Sequence, residues 1–227
     1  MTEKSVLTQL QLDLLVGCLL GNGNFQTNNG NTWRARFIHK AIHEPYIQHK
    51  YNILQNFCET EPKYGSYFDL RSNKEYSRFQ FNTLSKSEFR FLGGMFYKKD
   101  KESWVKHVPK NIKKFLTPVA LAYLYMDAGA LKWKGHSNAV RLCTDSFSKS
   151  DVELLKSALE INFNLKCSIQ LKNNLSRISI LEESYPELKA LILPHLLPCM
   201  YYKFPDGNNG VLENEDISQD IRNTFKI

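Results

Sequence analysis

The side chains best suited to chemistry in this 227-residue chain are basic and amide groups on segments predicted as strands. Arg34 and Arg36 share one face of such a segment, and Asn24, Gln26 and Asn31 lie close to it in the chain. Arginine can pair with guanine, and asparagine or glutamine with adenine, in the major groove of a duplex. The pattern predicts a surface that contacts bases. A solvated charged face on an ordinary sheet is the alternative.

Similar side chains recur along the rest of the chain. Lysine and arginine number 30 against 23 acidic residues, which gives a net charge of +7 and suits a polyanionic partner, although basicity alone is weak support. The further candidates for contact with nucleic acid are Lys40, Arg71, Lys74, Arg78, Gln80, Lys132, Lys134, Arg141, Thr144, Lys172 and Arg177.

Several other chemistries are disfavoured by residue spacing. His39 and His43 have the i, i+4 spacing of a helical metal pair, but Pro45 and the predicted strand argue against a helix there. The segment 21–23 resembles part of a dinucleotide loop, yet no strand precedes it and the third glycine is missing. The cysteines form no C-x-x-C pair and are predicted to be free thiols: Cys18, Cys58, Cys143, Cys167 and Cys199.

A repeated pair of apolar segments would position these side chains. Leu15–Gly23 and Leu121–Gly129 lie 106 positions apart (121 − 15), and each is an apolar helical run that ends in a polar turn with glycine. The repeat indicates two copies of one unit. The same spacing pairs Phe37 with Cys143, Ile53 with Leu159 and Phe57 with Phe163.

The two apolar helices are predicted to pack against each other. A helix that is apolar on nearly all sides is buried and needs a partner. Gly17 and Gly21, spaced i, i+4, allow another backbone to approach closely, whereas the second copy has Tyr123 and Asp127 at those places. The helices would therefore form a seam between two halves that are not interchangeable.

Each half is predicted to contain helix, strand, helix, two strands and helix, in that order. This order indicates an α+β fold of two pseudo-symmetric halves, each an antiparallel sheet covered by helices on one face. The predicted boundaries are an N-terminal half over 6–97, a basic linker over 98–117, a C-terminal half over 118–205 and a flexible tail over 206–227.

The repeated segments resemble the two motifs of single-chain LAGLIDADG homing endonucleases, the kind encoded in organellar group I introns. The likeness covers roughly residues 6 to 210 and includes the flanking stretches 116–123, 129–133 and 200–205. It implies a monomer whose sheets form a saddle on a long, asymmetric double-stranded DNA site. It also implies Mg²⁺-dependent hydrolysis of both strands across the minor groove, with Ca²⁺ or Mn²⁺ able to substitute in a trapped complex.

One departure from the motif bears on activity. The resemblance implies a metal-binding aspartate at the eighth motif position, where this chain has Asn22 in one copy and Ala128 in the other. Asp127 lies one position earlier, about 100° round the helix, and is expected to point towards the seam or a capped terminus. The metal positions implied by the resemblance are Gly21, Asn22, Asp127 and Ala128. We therefore expect a chain that binds DNA and cleaves it poorly or not at all.

Four further residues are assigned from the resemblance. Lys106 and Lys203 match lysines that flank the active sites of the family, where an ammonium would stabilise charge on the phosphate or polarise the attacking water. Ordinary surface lysines are the alternative. His39 and Thr144, at the ends of the first strands, would organise water near the metals, unless each is a satisfied surface or core residue.

Two alternatives remain open from the sequence. Asn22 and Ala128 are what deliberate inactivation to trap uncut substrate would look like, and a naturally decayed gene is the other interpretation. A DNA-binding regulator or an intron RNA maturase on the same fold would tolerate the loss of both aspartates.

The chain has no signal-peptide core and no apolar run of the roughly 20 residues that span a bilayer. We therefore expect no membrane association and action where the chain is translated, which the resemblance to intron-encoded enzymes implies is a chloroplast or mitochondrion.

Overall fold

A computed structural model of the chain describes residues 6–70, 73–133 and 135–207. The first half contains α1 (Gln9–Leu20), β1 (Asn24–Gln26), β2 (Arg34–Lys40), α2 (Glu44–Leu54), β3 (Lys63–Asp69), β4 (Lys74–Asn82) and α3 (Arg90–Phe96). A hairpin of β5 (Tyr97–Asp100) and β6 (Ser103–Lys106) follows. The second half contains α4 (Pro118–Ala128), β7 (Gly129–Trp133), β8 (Ser137–Leu142), α5 (Lys149–Phe163), β9 (Cys167–Lys172), β10 (Leu175–Ile180) and α6 (Tyr185–Ile192).

The two large sheets have the same connectivity. Their strand orders are β1-β2-β4-β3 and β7-β8-β10-β9, and all neighbouring strands are antiparallel. Antiparallel sheets with one face packed on helices and one face exposed are expected to alternate apolar and polar residues, as β2 does. The predicted α+β fold with two pseudo-symmetric halves is confirmed.

The motif helices α1 and α4 pack along a common seam. Thr8 and Thr117 cap their N-termini by accepting hydrogen bonds from backbone N–H groups of the first turn. A methyl group at Gly17 would lie 2.3 Å from the carbonyl oxygen of Ala120, and one at Gly21 would lie 2.5 Å from the Cβ of Asp127. The predicted close approach of the two backbones at these glycines is therefore confirmed.

The repeat shifts by one residue after the motifs. Leu142 pairs with Gly129, whereas the residue opposite the equivalent Gly23 is Phe37, because Asn24 pairs with Arg36. The first hairpin is thus one residue shorter in the second half, and the offset becomes 105 (142 − 37). The predicted match of Phe37 with Cys143 is wrong by that one residue. A further buried pair at the new offset is Leu54 with Leu159.

The segment from 98 to 117 packs against both halves, since Asn162 on α5 donates to the backbone oxygens of Lys113 and Leu116. Trp104 on β6 packs edge-on against Trp33, with ring centroids 5.0 Å apart. Ile112 and Leu116 are buried in the core further along the segment. This packing fixes the end of β6, which carries Lys106.

Most elements lie close to their predicted places, and the short strands were missed. The hydroxyl of Ser148 caps α5 by accepting from the backbone N–H of Asp151. The strands β1 and β7, which directly follow the motif helices, were not predicted, nor was the β5–β6 hairpin. Asp206 accepts from Tyr185 and Lys189, so the predicted flexible tail does not begin there. The rest of that tail lies outside the described residues.

Candidate motif-end site and nucleic-acid interface

The C-terminal ends of the two motif helices touch directly. The side-chain Nδ2 of Asn22 donates to the backbone oxygen of Asp127 at 3.0 Å. The backbone N–H of Asn22 donates to the Oδ2 of the Asp127 carboxylate at 3.2 Å. Asn22 is exposed and Ala128, the next residue after Asp127, is buried. The two eighth motif positions therefore lie side by side, where the helices run into β1 and β7.

The side chain of Asp127 is buried and both of its carboxylate oxygens accept hydrogen bonds. Its position on the helix predicted that it would point towards the seam or a capped terminus. Its Oδ1 accepts from Lys50 Nζ at 2.6 Å and from the hydroxyl of Tyr46 at 2.8 Å. Burial alone would raise the pKa of this carboxyl, but the charge of Lys50 and the hydrogen bonds from Lys50 and Tyr46 hold it below its usual value. Asp127 is therefore an anion at neutral pH, and the cation that balances it belongs to α2 of the other half.

His39 joins the same cluster as a neutral base. Its Nε2 lies 3.0 Å from Lys50 Nζ, and because an ammonium has no acceptor site, Nε2 accepts and the ring proton resides on Nδ1. Burial and the nearby charge of Lys50 lower the pKa of His39 to about 3. The predicted role of His39 in a water network stays a prediction, since its contact in the structure is with Lys50.

Two lysines bind the glycines that end the motifs. Lys106 Nζ donates to the carbonyl oxygens of Gly21 and Gly23 at 3.2 and 3.1 Å, and Lys203 Nζ donates to that of Gly129 at 3.0 Å. Gly23 and Gly129 occupy equivalent motif positions, so the lysines are related by the same pseudo-symmetry as the helices. Burial lowers the pKa of each lysine to about 8. An ammonium thus stands beside each motif end.

The oxygen atoms at this site do not fit a Mg²⁺ centre in the present sequence. Mg²⁺ is held by carboxylates and near-ideal octahedral oxygen geometry. Both carboxylate oxygens of Asp127 already accept protein hydrogen bonds, the carbonyl of Gly21 accepts from Lys106, and Ala128 has no side-chain oxygen. Among the side-chain oxygens of the predicted metal positions, only the amide oxygen of Asn22 is free, and no group of three or more ionisable ligands gathers in the described parts of the chain.

Thr144 does not lie where the sequence prediction placed it. The residue has no exposed surface, and its hydroxyl donates to the carbonyl oxygen of Ser176 at 2.7 Å. A fully buried and satisfied hydroxyl can contact neither DNA nor a solvent network near a metal. Thr144 is a core residue, which corrects both of its predicted roles.

The polar face of the N-terminal sheet gathers most of the predicted contact residues of that half. Along β2, Arg34 and Arg36 point away from the helices while Ala35 and Phe37 are buried. The Nε of Arg34 donates to Gln26 on β1 at 2.9 Å. Side chains directly opposite on neighbouring strands share a face. The pairs on this face include Asn24 with Arg36, Lys40 with Arg78, and Lys63 with Gln80.

Other predicted residues of this half differ in their setting. The guanidinium of Arg78 lies over the ring of Tyr67, 4.8 Å from its centroid. The Oε1 of Gln80 is buried without a hydrogen-bond partner among the described residues. Asn31 is exposed on the loop between β1 and β2, Lys74 is exposed at the start of β4, and Arg71 lies outside the described residues.

The C-terminal sheet presents a smaller polar face. Arg141 on β8 lies opposite Ser179 on β10, and Arg177 on β10 lies opposite Gln170 on β9. Arg177 is held by the carboxylate of Asp145, a residue that sequence analysis did not single out. Lys172 is exposed at the end of β9, Lys132 is half-buried beside an irregularity in β7, and Lys134 lies outside the described residues.

Sequence analysis missed Lys50 and Tyr46, although a signal for Lys50 exists. The buried residues of α2 are Tyr46, Ile47, Lys50 and Leu54. Lys50 therefore occupies an apolar stripe at spacings of three and four residues, where a lysine needs a buried anion. The anion comes from the opposite half, and only the packing of the halves reveals it.

Two pseudo-symmetric α+β halves, joined through glycine-bearing helices whose ends meet between two polar sheet faces, define a two-motif DNA endonuclease fold. Residues 12–188 match the model of the LAGLIDADG DNA endonuclease family, and the chain belongs to that family. It is 44% identical over 216 residues to the DNA endonuclease I-ChuI of Chlamydomonas applanata, covering 91% of this chain and 99% of that protein.

Comparison with solved structures gives the same fold. The homing endonuclease I-WcaI bound to its DNA recognition sequence superposes with a TM-score of 0.80 at 25% identity, covering 88% of this chain and 87% of that one. I-DmoI in complex with DNA and Mn superposes with a TM-score of 0.52 at 15% identity, over 83% of this chain and 99% of that one. The cytochrome b mRNA maturase bI2 of Saccharomyces cerevisiae is 28% identical over 85% of this chain and 46% of its own length. Within the described residues, every helix is too short or too polar to cross a membrane.

Proposed function

We propose that this chain binds a long, asymmetric double-stranded DNA site across both sheets, as a homing endonuclease does. We further propose that, with Asn22 and Ala128 in place, it hydrolyses that DNA very slowly or not at all. The observation that carries the proposal is the contact of the two motif ends, Asn22 against Asp127, between the two polar sheet faces.

Charge and shape support the DNA part of the proposal. The chain carries a net charge of +7, and arginine side chains lie on the polar faces of both sheets, Arg34 and Arg36 on β2 and Arg177 on β10. A two-stranded ribbon fits the major groove, where each base pair presents a distinct hydrogen-bond pattern. The likeness to I-WcaI bound to its recognition sequence agrees with this mode of binding. Because the halves differ in their polar residues, the site should be asymmetric.

The chemistry of the motif ends supports the loss of cleavage. Hydrolysis of a phosphodiester needs charge stabilisation on the attacking and leaving oxygens, which metal ions provide when carboxylates hold them. Neither Asn22 nor Ala128 supplies a carboxylate, and Asp127 is committed to Lys50 and Tyr46. Lys106 and Lys203 remain in place beside the motif ends, where they would stabilise negative charge on a phosphate.

The test restores the missing carboxylates after the DNA site has been identified. Duplexes bound by the unmodified chain are selected from a random library. The affinity for the selected duplex should fall about 10³–10⁵-fold between 50 and 200 mM salt if roughly 6–10 phosphates are neutralised. The Asn22→Asp/Ala128→Asp variant with Mg²⁺ should cut both strands of the selected duplex, and each single variant should cut more slowly or on one strand. Binding without cleavage by the double variant would contradict the endonuclease assignment.

An RNA-binding function is the second candidate. Its support is the similarity to a cytochrome b mRNA maturase, which extends over 85% of this chain. Tight, specific binding of an intron RNA together with weak duplex binding would favour a maturase. Selective duplex binding without cleavage after restoration would favour a DNA-binding regulator.

The chain is also proposed to be encoded within an intron and expressed in a chloroplast or mitochondrion. A Dictyostelium discoideum relative, 38% identical over 133 residues, is named intron-encoded endonuclease ai4. Recovery of the coding sequence within an organellar intron would support this origin, and a nuclear gene outside any intron would contradict it.

A further inference from the structure

The side chain of Arg177 forms an ion pair with Asp145, a residue that no sequence motif indicated. Asp145 follows β8, and its two oxygens accept from the Nε and the Nη2 of Arg177 in a bidentate ion pair. The pair is partly exposed: the Arg177 side chain retains 17% of its accessible surface and that of Asp145 33%. The ion pair lowers the pKa of the Asp145 carboxyl, because Arg177 donates to it, so the carboxylate is charged at neutral pH.

The geometry leaves one edge of the guanidinium available. An arginine has five N–H donors in a planar fork, and the side edge formed by Nε and Nη2 is the one that Asp145 occupies. The end of the fork retains both hydrogens of Nη1 and the outer hydrogen of Nη2. Those are the donors that pair with the O6 and N7 of guanine in the major groove.

The position of Arg177 on β10 directs it to the polar face. Its strand neighbours Ser176 and Ile178 are buried, whereas Arg177 lies opposite Gln170. Ser179, two residues further along the same face, is buried opposite Arg141, so the polar row at this point is formed by the two arginines. Arg177 thus belongs to the row of side chains that faces a duplex under the proposed function.

From this geometry we propose that Arg177 contacts a guanine in the major groove beneath the C-terminal sheet and that Asp145 is the positioning residue that sets its preference for guanine. The proposal rests on the DNA binding proposed above. A carboxylate beside a polyanion opposes binding by repulsion, so its presence here is better explained by orientation than by affinity. Holding the guanidinium in one rotamer before binding reduces the entropy lost when the base contact forms.

The halves differ at this place in a way that supports a base-specific role. Arg177 lies opposite Gln170 on the neighbouring edge strand, and the structurally corresponding residue of the first half, Gln80, lies opposite Lys63. The Oε1 of Gln80 is buried, so at this place the first half presents neither a guanidinium nor an accessible amide oxygen. Selection of guanine at this place would therefore be confined to the second half.

The experiment is a selection of bound duplexes from a random library with the unmodified chain and four variants. Arg177→Ala and Arg177→Lys remove the fork, and the lysine keeps the charge. Asp145→Asn keeps the shape but replaces one acceptor oxygen with an NH₂ group. Glu183→Gln is the control, because it breaks the surface ion pair with Lys166 in the same half. Thermal unfolding checks that all variants fold.

The unmodified chain should select guanine at one position of the duplex. Both Arg177 variants should show no base preference at that position. Asp145→Asn should weaken that preference about tenfold, at the same position only, while its affinity for random duplex stays equal or rises. The control should select the same sequence as the unmodified chain. An unchanged guanine preference in Asp145→Asn would overturn the role of Asp145, and an unchanged preference in Arg177→Lys would overturn the contact itself. Failure of the unmodified chain to select any duplex would overturn the proposed function as well.

Discussion

Lys50 and Asp127 form a buried ion pair that ties the two halves together, with Nζ 2.6 Å from Oδ1 and no exposed surface on either side chain. The pair occurs once. At the equivalent positions of the opposite halves the chain has Leu155 and Gly21 (155 − 50 = 105; 127 − 21 = 106). The motif helices are related by pseudo-symmetry, but the ion pair of Lys50 with Asp127 has no counterpart at the equivalent positions.

Removal of the Lys50 charge should destabilise the fold strongly. Lys50→Met fills the same space yet leaves the Asp127 carboxylate buried without its cation, a loss worth about 3–5 kcal/mol in comparable pairs. Urea unfolding should show this difference, and Lys50→Met/Asp127→Asn should recover a large part of it. Lys156→Met, which breaks the partly exposed pair with Glu160, serves as the control and should cost less than about 1 kcal/mol. Equal losses of unfolding free energy in Lys50→Met and the control would show that the buried pair stabilises the fold no more than the partly exposed pair.

Stability should fall as the pH drops from about 6.5 towards 4, and His39 should contribute most of the loss because its pKa is lowered furthest. In the folded chain the pKa of His39 is about 3, whereas an unperturbed histidine has a pKa near 6.5. Between these values the unfolded chain binds a proton that the folded chain does not, so the free energy of unfolding decreases as the pH falls. For a buried group of this kind the loss is on the order of 2–3 kcal/mol by pH 4.

His39→Gln should reduce that pH dependence without abolishing it, since a glutamine oxygen can still accept from Lys50 but does not titrate. The remainder comes from His43, whose pKa burial lowers to about 4, and from His49, whose pKa burial also lowers. The measurement is urea unfolding at a series of pH values. His136→Gln, at an exposed turn, should keep the slope of the unmodified chain. If the slopes of the unmodified chain and His39→Gln coincide, His39 is not the group that titrates.

Methyl groups at the seam should be poorly tolerated. Gly17→Ala and Gly21→Ala place a carbon 2.3 Å from the Ala120 oxygen and 2.5 Å from the Asp127 Cβ, so α1 and α4 must move apart. Overpacking of this kind typically costs about 1–3 kcal/mol, and here it should also reduce DNA affinity because it changes the angle between the sheets. Gly94→Ala on α3 meets no atom within 4 Å and should be neutral or slightly stabilising. The measurement is the melting temperature of each of the three variants. Equal melting temperatures would contradict the close packing of α1 and α4 at these glycines.

The sequence predicted those features that depend on local patterns. The repeat, the glycines at the seam and the polar face of β2 all follow from periodicity and residue type. The short strands β1 and β7 carry too few residues for an alternating pattern, and the one-residue shift of the repeat becomes visible only in the pairing of strands. The partners of these charges are distant in the chain, so Asp145 beside Arg177 and Lys50 beside Asp127 could not be inferred.

The asparagine at position 22 should make the chain more stable than the aspartate implied by the motif. Its Nδ2 donates to the backbone oxygen of Asp127, and Asn22→Asp would replace that donor with a carboxylate oxygen facing a carbonyl oxygen, close to a buried anion. The lost hydrogen bond and the repulsion should lower the free energy of unfolding by about 1–2 kcal/mol in a chelating buffer at pH 7. The deficit should shrink below about pH 4, where an aspartate becomes protonated. Asn24→Asp is the matched control, because its oxygen only accepts from the hydroxyl of Tyr97 and an aspartate can do the same. Should Asn22→Asp unfold at the same urea concentration as the unmodified chain, the contact between the motif ends contributes nothing to stability.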